Sequence, residues 1–226
     1  MLRGRNSFME SLLKTSTGQH WYPTPVSDYK DNLKLFWGTP NKNHIRSNFA
    51  YNMQYLEYLQ KQISELRLSS VLITMLYKTY IIVAIGIIEM LFSGALKAKK
   101  LWKTSSYELL LTTKSNSQKY EDKKLRTEVN VYKQVEPYLI DMDFDSMIKK
   151  IEDKHLLSLE HSIYPKLKNL KKLRNRVHLQ ECNGECDQDY NNFNLEDYTY
   201  MKKILYKILT CPEFCNKEEL YNFLAD

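Results

Sequence analysis

The segment NLKKLRNRVHLQ (residues 169–180) reads as part of a helix whose apolar stripe runs Leu167, Leu170, then Arg174, then Val177. An arginine thus takes a stripe position, and His178, four residues on, falls one turn above it on the same side. Burying a guanidinium without a partner is costly, so this edge has to face a carboxylate, a polar cleft or another subunit. Lys166, Lys168, Lys171, Lys172 and Arg176 crowd around the pair and concentrate positive potential there. A solvated basic helix face would carry the same charges, so their number alone assigns no role.

The rest of the chain frames that segment. Its 226 residues are 43% hydrophobic and 27% charged, enough for the core of one domain. Only six glycines and six prolines occur, and no repeat or low-complexity tract interrupts the pattern. The net charge of +6 favours anionic partners without approaching an extreme nucleic-acid-binding composition. The opening MLRGRNSFMESLLKTS has no apolar run of signal-peptide length. A cytoplasmic protein with reduced cysteines is therefore expected.

Residues 68–96, LSSVLITMLYKTYIIVAIGIIEMLFSGAL, form the most apolar region. Lys78 and Glu89 divide it into uncharged runs shorter than the roughly 20 residues a bilayer span requires. Eleven positions apart, the two charges return to nearly one helical face, with Ser93 a turn beyond. A central helix with a polar stripe explains this better than lipid does, and no membrane partner is expected. Glu89 is the partner expected for Arg174.

Residues 1–42 hold Trp21, Pro23, Pro25, Trp37, Gly38 and Pro40 and read as an N-terminal extension of loops with one short helix. From 43 to 67 apolar residues recur at steps of three and four, which predicts a long amphipathic helix. YELLLTTK (107–114) and LRTEVNVYKQV (125–135) predict two strands, placed in an inserted β-hairpin over 104–135 with a mobile, polar tip. Helical spacing resumes at Phe144 behind the acidic DMDFDS. Pro165 suits the first turn of the next helix. Asn194 suits the N-cap of another, and a last helix begins near 217. The expected fold is mainly α, with a helical domain over 43–226 built around about five helices.

Arginine beside histidine, with no carboxylate cluster, is equipment for metal-free attack on a phosphodiester. Imidazole moves a proton near neutral pH, and guanidinium offers paired donors to phosphoryl oxygens. RNA supplies its own nucleophile in the 2′-hydroxyl, which predicts a 2′,3′-cyclic phosphate and a free 5′-hydroxyl. Asn175 would orient the phosphate or His178. Lys168, Lys171, Lys172 and Arg176 would contact RNA, and no cofactor is called for. One histidine cannot readily serve both ends of the reaction, so two facing copies would complete the site.

LRNRVH late in a helical chain, after a long helix YIIVAIGIIEMLFSGAL with an acid inside it, resembles the HEPN superfamily (higher eukaryotes and prokaryotes nucleotide-binding). The resemblance covers about 43–97 and 142–210. It implies a HEPN-like helical bundle and a metal-independent RNase of bacterial toxin–antitoxin, abortive-infection or antiviral defence. It further implies a homodimer with Arg–His motifs facing across a cleft, and an antitoxin or effector protein as a further partner. By resemblance Arg174 takes the place of the family arginine, Asn175 of the polar residue after it, His178 of the histidine and Glu89 of the acid. The family's Arg–His interval is usually longer than the Asn175, Arg176 and Val177 found here. A non-catalytic HEPN-like module that binds RNA or a partner is the alternative.

Cys182 and Cys186 form one CxxxC pair and Cys211 and Cys215 another. A four-thiolate zinc clip is conceivable, against unlinked reduced cysteines. His20, His44, His155 and His161 show no ligand-like or triad-like spacing and read as structural or exposed.

Overall fold

The computed structural model describes residues 21–36, 42–177 and 188–225. Trp37, Gly38, Pro40, His20, His178, Cys182 and Cys186 lie outside the described residues. The protein is mainly helical, with 58% helix and 16% strand.

Seven helices and four strands carry the argument. In chain order, α1 is Val26–Asn32, α2 Asn43–Glu65 and α3 Ser70–Ala98. A β-arm follows, with β1 Thr104–Lys114, β2 Gln118–Tyr120, β3 Lys123–Leu125 and β4 Glu128–Leu139. Then come α4 Phe144–Asp153, α5 Ile163–Arg174, the short α6 Asp189–Asn192 and α7 Leu195–Leu209.

The apolar α3 is the axis of the fold, packing on α2, α4, α5, α6 and α7. Tyr80, Ile81, Ala84, Ile85, Ile88 and Leu91 on α3 are fully buried, and each removes its apolar surface from water. Among the described residues α3 is also the one helix long and apolar enough to cross a bilayer, with 44% of its most apolar window buried. Lys78 is buried on it and Glu89 half-buried, both in ion pairs, so the charges that break the apolar run are held inside the bundle.

Capping follows the expected residues. Asp143 accepts from the Ser146 N–H at the start of α4, and Asn194 accepts from the Asp197 N–H at the start of α7. Each satisfies a donor that a helix start leaves unpaired. Pro165 sits in the first turn of α5, where its missing N–H costs nothing.

Residues 26–36 belong to the same core as the helices. Tyr29 is fully buried, stacks on Tyr221 at 6.2 Å and donates its hydroxyl to Glu57. Asn32 accepts from the Lys217 N–H at 2.6 Å and donates to the Lys217 carbonyl at 2.9 Å, and Leu33 bridges to Cys215. Gly94 lets this segment approach α3, because a Cβ there would stand 2.7 Å from the Phe36 ring.

Three local expectations are corrected. The arm is longer than 104–135, running to Leu139, and its tip forms a second small ladder of β2 and β3, so Leu125 belongs to β3 rather than β4. The last helix is a 3₁₀ turn over Glu218–Leu224; its apolar residues Leu220, Tyr221 and Leu224 satisfy either helical spacing, so periodicity could not separate them. The helix bearing the opening motif ends at Arg174 and tightens into a 3₁₀ turn over Asn175–Val177.

Asp143→Ala should lower unfolding free energy by about 1 kcal/mol in urea titration, the usual cost of an N-cap. The Ser146 donors hold the Asp143 carboxyl below its ordinary range. Its stabilisation is therefore present at neutral pH and lost as pH falls through that lowered value, so wild type and variant should converge in acid.

Candidate charge site at the end of the central helix bundle

Arg174, on the last residue of α5, reaches α3 and places Nη2 3.0 Å from Oε2 of Glu89. The two residues are 85 positions apart, and the pairing is the one expected from the buried-arginine argument. Their side chains are 41% and 27% exposed, so the guanidinium is held from below yet open to solvent above. Among the described residues Nη2 makes the contact to Glu89, and a guanidinium's five N–H donors exceed what one such contact uses.

A second group lies farther along the same helix. Lys78 stands eleven residues from Glu89, about 16 Å along the axis. It is 6% exposed, donates to Oδ2 of Asp189 at 2.6 Å and lies 5.8 Å from the Phe193 ring centroid. Arg176 approaches the other oxygen of the same carboxylate, with Nε 3.6 Å from Oδ1. Asp189 on α6 thus joins α3 to the 3₁₀ turn that follows Arg174.

In the turn over Asn175–Val177 each residue advances by a larger angle than in an α-helix. Val177 consequently leaves the apolar stripe and is 54% exposed. Asn175 is exposed as well. The placement of His178 relative to Arg174 lies outside the described residues.

The basic residues around the motif divide into two kinds. Lys168 donates to Glu152 at 3.0 Å and Lys171 to Asp145, both tying α5 to α4. Arg176 faces Asp189, as above. Lys172 is exposed, and the Lys166 ammonium lies 4.3 Å from the Tyr200 ring centroid. Three of the four cations expected to contact RNA therefore already face carboxylates of the fold.

Of the cysteines, Cys211 and Cys215 are buried free thiols. Burial pushes the Cys211 thiol up to about 12, and its S–H donates to the Lys207 carbonyl at 3.2 Å. A zinc ligand must be a thiolate, which this environment disfavours. Among the described residues no group of three or more His, Cys, Asp or Glu is arranged to hold a metal. His161 is exposed, with Nδ1 3.0 Å from Glu152, and His44 and His155 are exposed.

Asp189 is the residue that sequence reasoning did not single out. Lys78 in an apolar helix demanded an acid, but the partner lies 111 positions away. The nearby Glu181, Glu185 and Asp187 satisfy the same demand on paper. Comparison with protein-family models, curated proteins and solved structures finds no match.

Asp189→Asn should cost about 3 kcal/mol of stability in urea titration, because it leaves the buried Lys78 ammonium without its carboxylate. Lys78→Met in the same background should recover most of that loss. Cys211 should resist alkylation by iodoacetamide at pH 8 in the native state and react only in denaturant, read by intact-protein mass.

Proposed function

We propose that the protein is a cytoplasmic, HEPN-like, metal-independent endoribonuclease acting as a homodimer, in bacterial toxin–antitoxin or antiviral defence and subject to an antitoxin or effector protein. The observation that carries this reading is the Arg174–Glu89 pairing at 3.0 Å, which joins the arginine of the motif helix to the acid of the long apolar helix. The resemblance matches those two positions to one site.

In this reading His178 removes the proton from a ribose 2′-hydroxyl. The 2′-oxygen attacks phosphorus and the P–O5′ bond breaks, leaving a 2′,3′-cyclic phosphate. The departing 5′-oxygen takes a proton from the same histidine of a second copy and leaves as a hydroxyl. Arg174 donates to the phosphoryl oxygens as charge gathers on them, Asn175 orients the phosphate, and Glu89 positions the guanidinium. Lys172 adds electrostatic attraction for the strand. The nucleophile belongs to RNA, so DNA is not cut.

A second reading, a non-catalytic module that binds RNA or a partner protein, is favoured by the carboxylates facing Lys168, Lys171 and Arg176. Those contacts leave fewer cations to hold a transition state.

Purified protein should cleave RNA in EDTA to products ending in 2′,3′-cyclic phosphate. His178→Ala should abolish cleavage, and Arg174→Ala should lower kcat by about 100-fold, in line with loss of a donor to developing charge. Both variants should keep the circular dichroism of the wild type. Salt-dependent RNA binding without turnover would establish the second reading instead.

A further inference from the structure

The β-arm is uncovered on both faces. β1 and β4 pair in one antiparallel ladder, reaching about 35 Å at the usual rise per residue. Eleven of its large apolar side chains are between 41 and 62% exposed. A lone two-stranded hairpin is marginal in water, and this one presents Leu111 opposite Val131 on one face and Leu109 opposite Tyr132 on the other. A register shift between Leu109 and Leu111 adds Leu110 to the exposed set. The charges sharing the Leu111–Val131 face, Glu108 and Lys133, sit opposite each other across the ladder, so that face offers apolar contact and little net charge.

The body of the same chain carries a second uncovered apolar surface. Along α3, Leu72, Met75, Val83, Gly86 and Met90 recur at helical spacing and remain exposed or half-buried, a strip about 27 Å long. Beside α2 its far end opens into a groove of about 430 Å³ lined by Val83, Gly86, Ile87 and Met90 opposite Ile45 and Asn52. Gly86 is the notch, since a Cβ there would meet nothing within 4 Å. None of these strip residues is ionisable, although the chain is 27% charged, which disfavours nucleic acid as the occupant.

We propose that the arm of one chain packs its Leu111–Val131 face on the α3 strip of a second copy, reciprocally, so that a two-fold dimer covers both surfaces at once. Self-complementarity of this kind is what an isologous interface requires. A contact about 27 Å long and, at a helix's usual width, about 11 Å across covers about 300 Å²; made twice, it gives every chain roughly 600 Å², at the lower bound of a stable interface. This arm exchange uses neither Arg174 nor His178; it names the interface of the homodimer proposed above, and oligomeric state tests it independently of RNA cleavage.

Sedimentation equilibrium of the full chain should give a dimer at micromolar concentration. Leu111→Glu with Val131→Glu on the arm should give a monomer with unchanged circular dichroism, and so should Val83→Glu on the strip. Mixing the two monomeric proteins should restore dimers, because each mixed pair retains one intact arm-to-strip contact, with affinity at least 10-fold below wild type. A monomeric wild type, a dimer indifferent to the arm variant, or a dimer that survives Val83→Glu overturns the proposal. So does a monomer whose arm or strip instead binds an RNA oligonucleotide or phosphatidylcholine vesicles and loses that binding in the same variants.

Discussion

Two charges inside the apolar run of α3 govern how this bundle closes. Lys78 and Glu89 ride on α3, the element that packs on five of its neighbours, and an ionised group in such a place must find an opposite charge or destabilise the core. Lys78 takes Asp189 and Glu89 takes Arg174. Each pair fixes a segment that has little apolar surface of its own. Asp189 docks the four-residue α6, and Arg174 docks the end of α5 just where the chain turns into 3₁₀ geometry.

The same two pairs differ in what they leave over. The Lys78–Asp189 contact is largely shielded, and a third member, Arg176, shares the carboxylate. Its role is cohesive. The Arg174–Glu89 contact is half-open, so its attraction is weakened by water while part of the guanidinium stays presentable to a ligand. The half-open pair is thus braced by the shielded one. The neighbouring Lys168 and Lys171 extend the bracing to α4, which makes much of the basic face a fastening between helices.

Uncovered apolar surface is distributed just as unevenly. The helical core buries Tyr29, Phe92, Phe193, Phe214 and Tyr221 almost completely, whereas the arm leaves Leu109, Leu110, Leu111, Val129 and Tyr132 about half in water. Trp102 anchors the arm's root by donating its indole N–H to the Ile140 carbonyl at 2.8 Å. Beyond that root the strands contribute little to the stability of the chain that carries them.

Much of the local structure was legible in the sequence, because helix and strand periods are properties of near neighbours. The spacing of Phe49, Met53, Leu56 and Leu59 announced α2, alternation from Glu128 to Val131 announced β4, and the acidic DMDFDS and Asn194 announced the starts of α4 and α7. The need of Arg174 for a carboxylate was legible too, and Glu89 met it because few acids interrupt the apolar helix. The acid that meets Lys78, the turn into 3₁₀ geometry after Arg174 and the engagement of Lys168 and Lys171 with α4 belonged to the tertiary structure alone. Charges attract without regard to sequence separation, so which of several equivalent acids closes a pair depends on where packing has already brought the helices.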